Sequence, residues 1–195
     1  QQPMLARLAG ISICLKPGKA WYIALPPADS PFREEGMRVE EALPHLKKIL
    51  EKTKARIVGQ NIKYDFIVLK RHGILLKNLS FDTMIASYLC NPNVRRHSLD
   101  DMALDYLGHN TIKYDDIVGS GRNRTTMDKI SPASIRDYAC EDADLTLRLA
   151  EILKGELKKR GLEKVNENIE MALIEPLAEM EESGVAIDIP YFKKL

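Results

Sequence analysis

Two carboxylates occupy positions that surface charge does not explain. One is Asp142, in the phrase Tyr138-Ala139-Cys140-Glu141-Asp142. Ile135, Tyr138, Asp142, Leu145, Leu149 and Ile152 recur at spacings of three and four, which is one face of a helix. Asp142 therefore falls on an apolar stripe, where a charge without a partner is strongly disfavoured. Tyr138 lies one turn earlier on the same face, so its hydroxyl can reach the same space. An acid and a phenol converging on one spot point to a metal or phosphate site. The competing structural reading is a salt bridge from Asp142 to Arg96 or Arg136.

The second carboxylate is Asp65, in Gly59-Gln60-Asn61-Ile62-Lys63-Tyr64-Asp65. That phrase sits where a short apolar strand gives way to a helix, the edge at which α/β sheets usually bind ligands. Gln60, Asn61 and Tyr64 surround the acid with hydrogen-bonding groups. Helix capping and favourable dipole placement are the competing explanation. Taken together, two acids without His or Cys suit Mg²⁺ or Mn²⁺. Two such ions a few ångströms apart could clamp the attacking and leaving oxygens of a phosphodiester. Tyr138, with a free pKa of ~10, would orient water rather than act as a base. Asp82 reads as a helix cap, and Glu141 and Asp144 point off the stripe towards solvent. His45, His72, His97 and His109 show no mutual metal-ligand spacing.

These residues must be carried by a soluble frame. The chain has 195 residues, 45% hydrophobic and 29% charged, enough for one domain with an appendage. A net charge of +1 gives no general argument for nucleic-acid binding, so local clusters would have to supply it. Cys14, Cys90 and Cys140 are odd in number and widely spaced, as buried thiols of a reducing compartment would be. No apolar run approaches the ~20 residues of a membrane span, so a cytoplasmic location is expected. Residue 1 is Gln, not Met, and residues 191–195 look like a helix beginning. Both ends are therefore expected to continue into a longer protein.

Residues 8–15 and 20–25 are short apolar runs separated by Pro17-Gly18, which predicts a β-hairpin. An amphipathic helix is predicted over 40–52, a strand over 56–59, and helices over 63–72, 81–89 and 98–107, with Ser98 and Asp101 as a capping box. Residues 108–129 read as a long loop. Ser131-Pro132 starts the helix that bears Asp142, which runs to about Arg160-Gly161. A separate helix is expected over 166–182, stopped at Ser183-Gly184, with 185–188 extended. A hairpin followed by alternating helices and strand argues for α/β layers with a mixed sheet.

GQNIKYD ending at Asp65, FDTM containing Asp82, RRHSLDDMA from Arg95 and YACEDAD ending at Asp144 occur in order along the chain. Together they closely resemble the 3′–5′ proofreading exonuclease domain of bacterial family A DNA polymerases, a DEDD exonuclease of the tyrosine subclass. NIEMALIEPLAEMEESGVAID resembles the junction to the polymerase region. The resemblance implies an RNase H-like exonuclease fold, with a mixed central sheet flanked by helices and a C-terminal helical extension. Residues 1–160 would form the exonuclease domain, and 161–195 the junction and the start of the polymerase domain. It implies Asp65 and Asp142 as ligands of Mg²⁺ or Mn²⁺ in a two-metal site, and Tyr138 as the holder of the attacking water. Gln60, Asn61, Tyr64 and Arg96 would lie near a single-stranded DNA 3′ end, with Tyr114 stacking on the unpaired strand. The implied partners are that DNA end and a polymerase domain in cis, in a monomer associated with the bacterial nucleoid. The family's first motif, Asp-x-Glu, should precede residues 8–15, and residues 1–7 contain no acid. Two alternatives follow: a catalytically impaired scaffold that binds DNA, or an RNA exonuclease of the ribonuclease D type.

Overall fold

Apolar residues at the chain start form Gly10–Lys16 (β1) and Lys19–Ala24 (β2), paired antiparallel around Pro17-Gly18. Gly18 takes φ +76°, a left-handed conformation that glycine adopts without steric cost. The computed structural model describes residues 2–194. Val39–Lys52 (α1) carries the hairpin into Ile57–Gly59 (β3), and Ile62–Arg71 (α2) follows. Leu79–Asp82 (β4) pairs parallel with β3 and runs directly into Thr83–Cys90 (α3). Both pairings of the expected mixed arrangement are thus present, as two separate two-stranded sheets among the described residues.

Leu99–Leu107 (α4), Tyr114–Val118 (α5) and Pro132–Arg160 (α6) complete the frame around the site. Ser98 accepts the Asp101 N–H at 3.2 Å and donates to the Asp101 carboxylate at 2.6 Å, as the capping box predicts. Ser131 caps α6, and Gly161 ends it in the left-handed conformation. Beyond it come Glu163–Val165 (α7), a π-helical turn at Asn166–Glu170, Ile174–Ser183 (α8) and Ile189–Phe192 (α9).

Three expectations need correction. Phe81 and Asp82 belong to β4, not to a helix over 81–89; the helix begins only at Thr83, where Asp82 caps it. The loop expected over 108–129 contains α5. The single helix over 166–182 is broken, and Pro176 falls in the first turn of α8, where a residue without N–H is tolerated.

The core is built in two clusters. Leu25, Leu46, Phe66, Ile67 and Ile74 belong to one, and Ala178 of α8 closes it. Phe81, Ala86, Met102, Leu149, Leu153 and Leu157 belong to the other. α6 packs on the hairpin as well as on α3 and α4, so it is enclosed on more than one side. Its stripe continues through Leu153 and Leu157, both fully buried, while Ile152 is only partly so.

Asp82 locks β3, β4, α2 and α3 together. Its carboxylate is 1% exposed. It accepts the N–H groups of Met84 at 2.8 Å and Ile85 at 3.2 Å, at the start of α3. It also accepts those of Ile62 at 2.7 Å and Asn61 at 3.2 Å, at the start of α2. One side chain thus caps two helices, including the one that carries Asp65. Asp82→Ala is expected to lower stability by about 2–4 kcal/mol, because two caps go and buried donors lose their partner. Asp82→Asn should cost less, since its single oxygen can serve only part of the set. Urea denaturation of the two variants checks both the size and the order.

Candidate active site

Asp65 reaches the site because α2 starts from a tight turn. Asn61 stands in the left-handed region, φ 56° and ψ 48°, which Asn tolerates better than most residues. Its N–H goes to Asp82, and the next turn carries Tyr64 and Asp65. Phe66, Ile67, Val68 and Leu69 are buried, whereas the Asp65 side chain opens to water. Protein crowds its other sides. That crowding, and then the negative charge of Asp82, pushes the Asp65 carboxyl up to about 7. No cation is among the charges acting on it.

Asp142 and Tyr138 lie one turn apart on α6, both half-buried. Burial raises the Asp142 carboxyl to about 7; the hydrogen-bonding Tyr138 hydroxyl lowers it, and the negative charges of Asp100 and Glu141 add to the rise. The Tyr138 phenol is pushed far above its ordinary value by burial and by the adjacent Asp142. It therefore stays protonated and acts as a donor at any working pH. The salt bridge weighed as a structural alternative is not formed: Arg136 pairs with Asp137 at 2.8 Å, and no cation acts on Asp142.

The Tyr114 ring lies 6.3 Å from that of Tyr138, centroid to centroid. Tyr64 feels the charges of both Asp65 and Tyr114. Tyr114 thus stands beside Tyr138 and within electrostatic reach of Tyr64, and it is 40% exposed. Arg96 is exposed as well. Gln60 is turned inward. Its Nε2 donates to the His97 carbonyl at 3.0 Å and its Oε1 accepts from Thr83 Oγ1, so it braces the segment beside Arg96.

Sequence reasoning missed three supports. Asp100 accepts from Thr111 Oγ1 at 2.7 Å and from Lys113 Nζ at 3.1 Å, tethering the residues just before Tyr114. Glu141 is not solvated: it accepts the Ile112 N–H at 2.7 Å and meets His109 Nε2 at 2.8 Å. Asp144 is not solvated either, because it accepts the Gly18 N–H at 2.6 Å and so docks the hairpin turn on α6. The stripe placed Asp142 on a partly buried face of α6 but could not show that the helix's other sides are covered too. His72 bonds the Val68 carbonyl and His97 meets Ser87, as non-ligand histidines would.

Asp65 and Asp142 each present carboxylate oxygens on which no cation acts, the ligand type a divalent cation takes. Among the described residues no three His, Cys, Asp or Glu side chains converge as a metal-binding group. These two acids are therefore separate contributors rather than a complete cage.

Helices packed on paired strands, with an acid at a strand-to-helix edge and a tyrosine–acid pair on a long helix, define an RNase H-like exonuclease fold. Solved structures bear this out at the level of fold. Brucella melitensis NrnC bound to pGG aligns with TM-score 0.70 and 22% identity over 96% of this chain and 83% of its own. The POL domain of Pol1 from M. smegmatis, in complex with DNA primer-template and dNTP, aligns with TM-score 0.67 and 22% identity over 91% of this chain and 26% of its own. The chain belongs to the 3′–5′ exonuclease family of family A DNA polymerases, whose model matches residues 3–158. It is 39% identical over 186 residues to DNA polymerase I of Pseudomonas aeruginosa, which covers 94% of this chain and 20% of that protein. It is 40% identical over 157 residues to that of Rhizobium leguminosarum, covering 80% and 15%. The chain thus spans about a fifth or less of these relatives. No described helix is long and apolar enough to cross a membrane.

The raised Asp142 carboxyl has a signed consequence. Its folded value of about 7 lies above the ordinary Asp value of 3.8, so the folded protein holds the proton through that interval. The stability this confers is present in acid and lost as pH rises through about 7. In buffer free of divalent cations, Asp142→Asn should match the parent near pH 4. At pH 8 it should be more stable by about 1–2 kcal/mol, a pKa unit being worth ~1.4 kcal/mol in full burial. Urea midpoints across the pH range test this; equal gaps at both ends would contradict it.

Proposed function

We propose that this chain is the nuclease part of a DNA polymerase and hydrolyses 3′-terminal nucleotides of single-stranded DNA. The observation that carries this reading is the Tyr138–Asp142 pair, a protonated phenol beside a carboxylate that no cation neutralises, facing the exposed Tyr114 ring. Asp65 and Asp142 would hold Mg²⁺ or Mn²⁺. Bound there, the metal would offset phosphate charge and lower the pKa of an attacking water. The Tyr138 hydroxyl, whose proton goes to Asp142, would orient the water by accepting a hydrogen bond from it, and its raised pKa keeps it from serving as a base. Tyr114 offers a stacking face that accepts any base, as removal of misinserted nucleotides requires. Arg96 supplies positive charge at the rim. Residues 161–195 would join this domain to a polymerase domain in the same chain. Lys70 on α2 bonds Glu182 on α8 at 2.6 Å, so that junction is fastened to the helix bearing Asp65.

With Mg²⁺ and a 5′-labelled single-stranded oligonucleotide, the protein should produce a ladder shortened from the 3′ end. Asp142→Ala should slow it by at least ~10³-fold, the order expected when a metal ligand is lost. Equal rates for Asp142→Ala and parent would refute the assignment. Matched RNA separates the ribonuclease D-type alternative, since the 2′-hydroxyl is the only sugar difference.

One observation favours a second reading, a DNA-binding scaffold: the two acids stand without a third converging group among the described residues. Calorimetric titration with Mn²⁺ distinguishes the two. Binding abolished by Asp65→Asn speaks for the nuclease, and heat-silent titration with retained DNA binding speaks for the scaffold.

A further inference from the structure

The segment after α5 returns sharply on itself. Gly119 and Gly121 take φ +77° and +58°, in the left-handed region. The Thr125 N–H then bonds the Val118 carbonyl at 2.8 Å, closing the loop on the end of α5. This closure delivers Arg124 to the site. Its guanidinium carbon lies 5.6 Å from the centroid of the Tyr114 ring, in cation–π position. Tyr114 is the ring that also neighbours Tyr138.

Arg124 is weakly committed where it stands. Its only ion pair among the described residues is with Asp115, at 3.6 Å, with side chains 57% and 64% exposed. That distance is too long for a strong hydrogen bond, and exposed pairs of this kind contribute little. A guanidinium has five donors in a planar fork, a geometry that suits phosphate oxygens and also extends an aromatic stacking surface. The arrangement is a cation lodged on a stacking ring, loosely held by a competing carboxylate, beside a tyrosine–acid pair.

We propose that Arg124 grips the sugar-phosphate backbone of a single strand whose terminus lies at Tyr138 and Asp142. On entry of the strand, Arg124 exchanges Asp115 for a backbone phosphate while its plane stays on Tyr114, which holds the stacked base. Asp115 acts as a stand-in anion that keeps Arg124 in place when no strand is bound. The inference rests on the nuclease reading above, and it adds a strand-holding role to a loop that the sequence motifs do not include.

The test is binding of fluorescein-labelled oligo(dT) to the protein, followed by anisotropy over a range of salt concentrations without divalent cation. Arg124→Ala should weaken binding ~5-fold, as loss of one charge-assisted contact does. It should also make the slope of log K against log salt shallower by about 0.7, the value for one phosphate contact on a single strand. Arg124→Lys should keep the slope but lose part of the affinity, because it keeps the charge and not the plane. Asp115→Asn should tighten binding by freeing the guanidinium, an effect that a merely structural loop contact would not give. Far-ultraviolet circular dichroism confirms that each variant is folded. An unchanged slope in Arg124→Ala, with the parent binding normally, overturns the role of Arg124 and leaves the nuclease reading standing. A parent that does not bind oligo(dT) overturns both.

Discussion

The buried carboxylate of Asp82 is the constraint on which the site depends. It takes four backbone N–H groups from two helix starts, at the ends of the adjacent parallel strands β3 and β4. Helix N-termini leave their first amides without partners, and burying them unsatisfied is costly. One acid removes that cost for α2 and α3 together. Burial still outweighs the four donors and keeps its pKa above the ordinary Asp value. The consequence reaches the site directly, because the turn that Asp82 fixes is the turn that aims Tyr64 and Asp65.

The other half of the site depends on α6, a helix enclosed on more than one side. Leu149, Leu153 and Leu157 seat it in the second core cluster, while Asp144 holds the hairpin turn against it. Glu141 holds the Ile112 amide and His109, and Asp100 holds Thr111 and Lys113. The short stretch between α4 and α5 is thereby pinned from both sides, and Tyr114 emerges from it beside Tyr138. Two acids that touch no substrate in this reading, Asp100 and Glu141, thus determine where an aromatic ring stands. Their charge also raises the Asp142 carboxyl, so support and electrostatics are the same interactions.

The local pattern was strong wherever the chain's own periodicity decided the outcome. The hairpin, α1, α4 and α6 follow from turn residues, caps and apolar spacing within a few positions of one another. Asp142 stood out for the same reason, as a charge on an apolar stripe. The pattern failed where distant partners decide. Phe81 reads as the start of a helix, and only its pairing with Val58 of β3 makes it strand. Glu141 and Asp144 read as solvated because the surfaces that cover them come from residues 109–112 and 18. The π-helical turn at Asn166–Glu170 has no signature in the spacing, although Pro176 marks where a regular helix must restart.

The sequence by itself singled out the candidate residues, because types and spacings of Asp65, Tyr138 and Asp142 are properties of the chain. It also determined the helices that bear them, since caps and periodicity act over a turn or two. Only the tertiary structure decided what those residues experience. Gln60 faces inward because Thr83 and the His97 carbonyl lie within reach of its amide. Arg124 rests on Tyr114 because the loop closes between residues 118 and 125. Asp65 and Asp142 are raised towards neutrality because burial and neighbouring charges act through space, between groups that the chain order keeps apart.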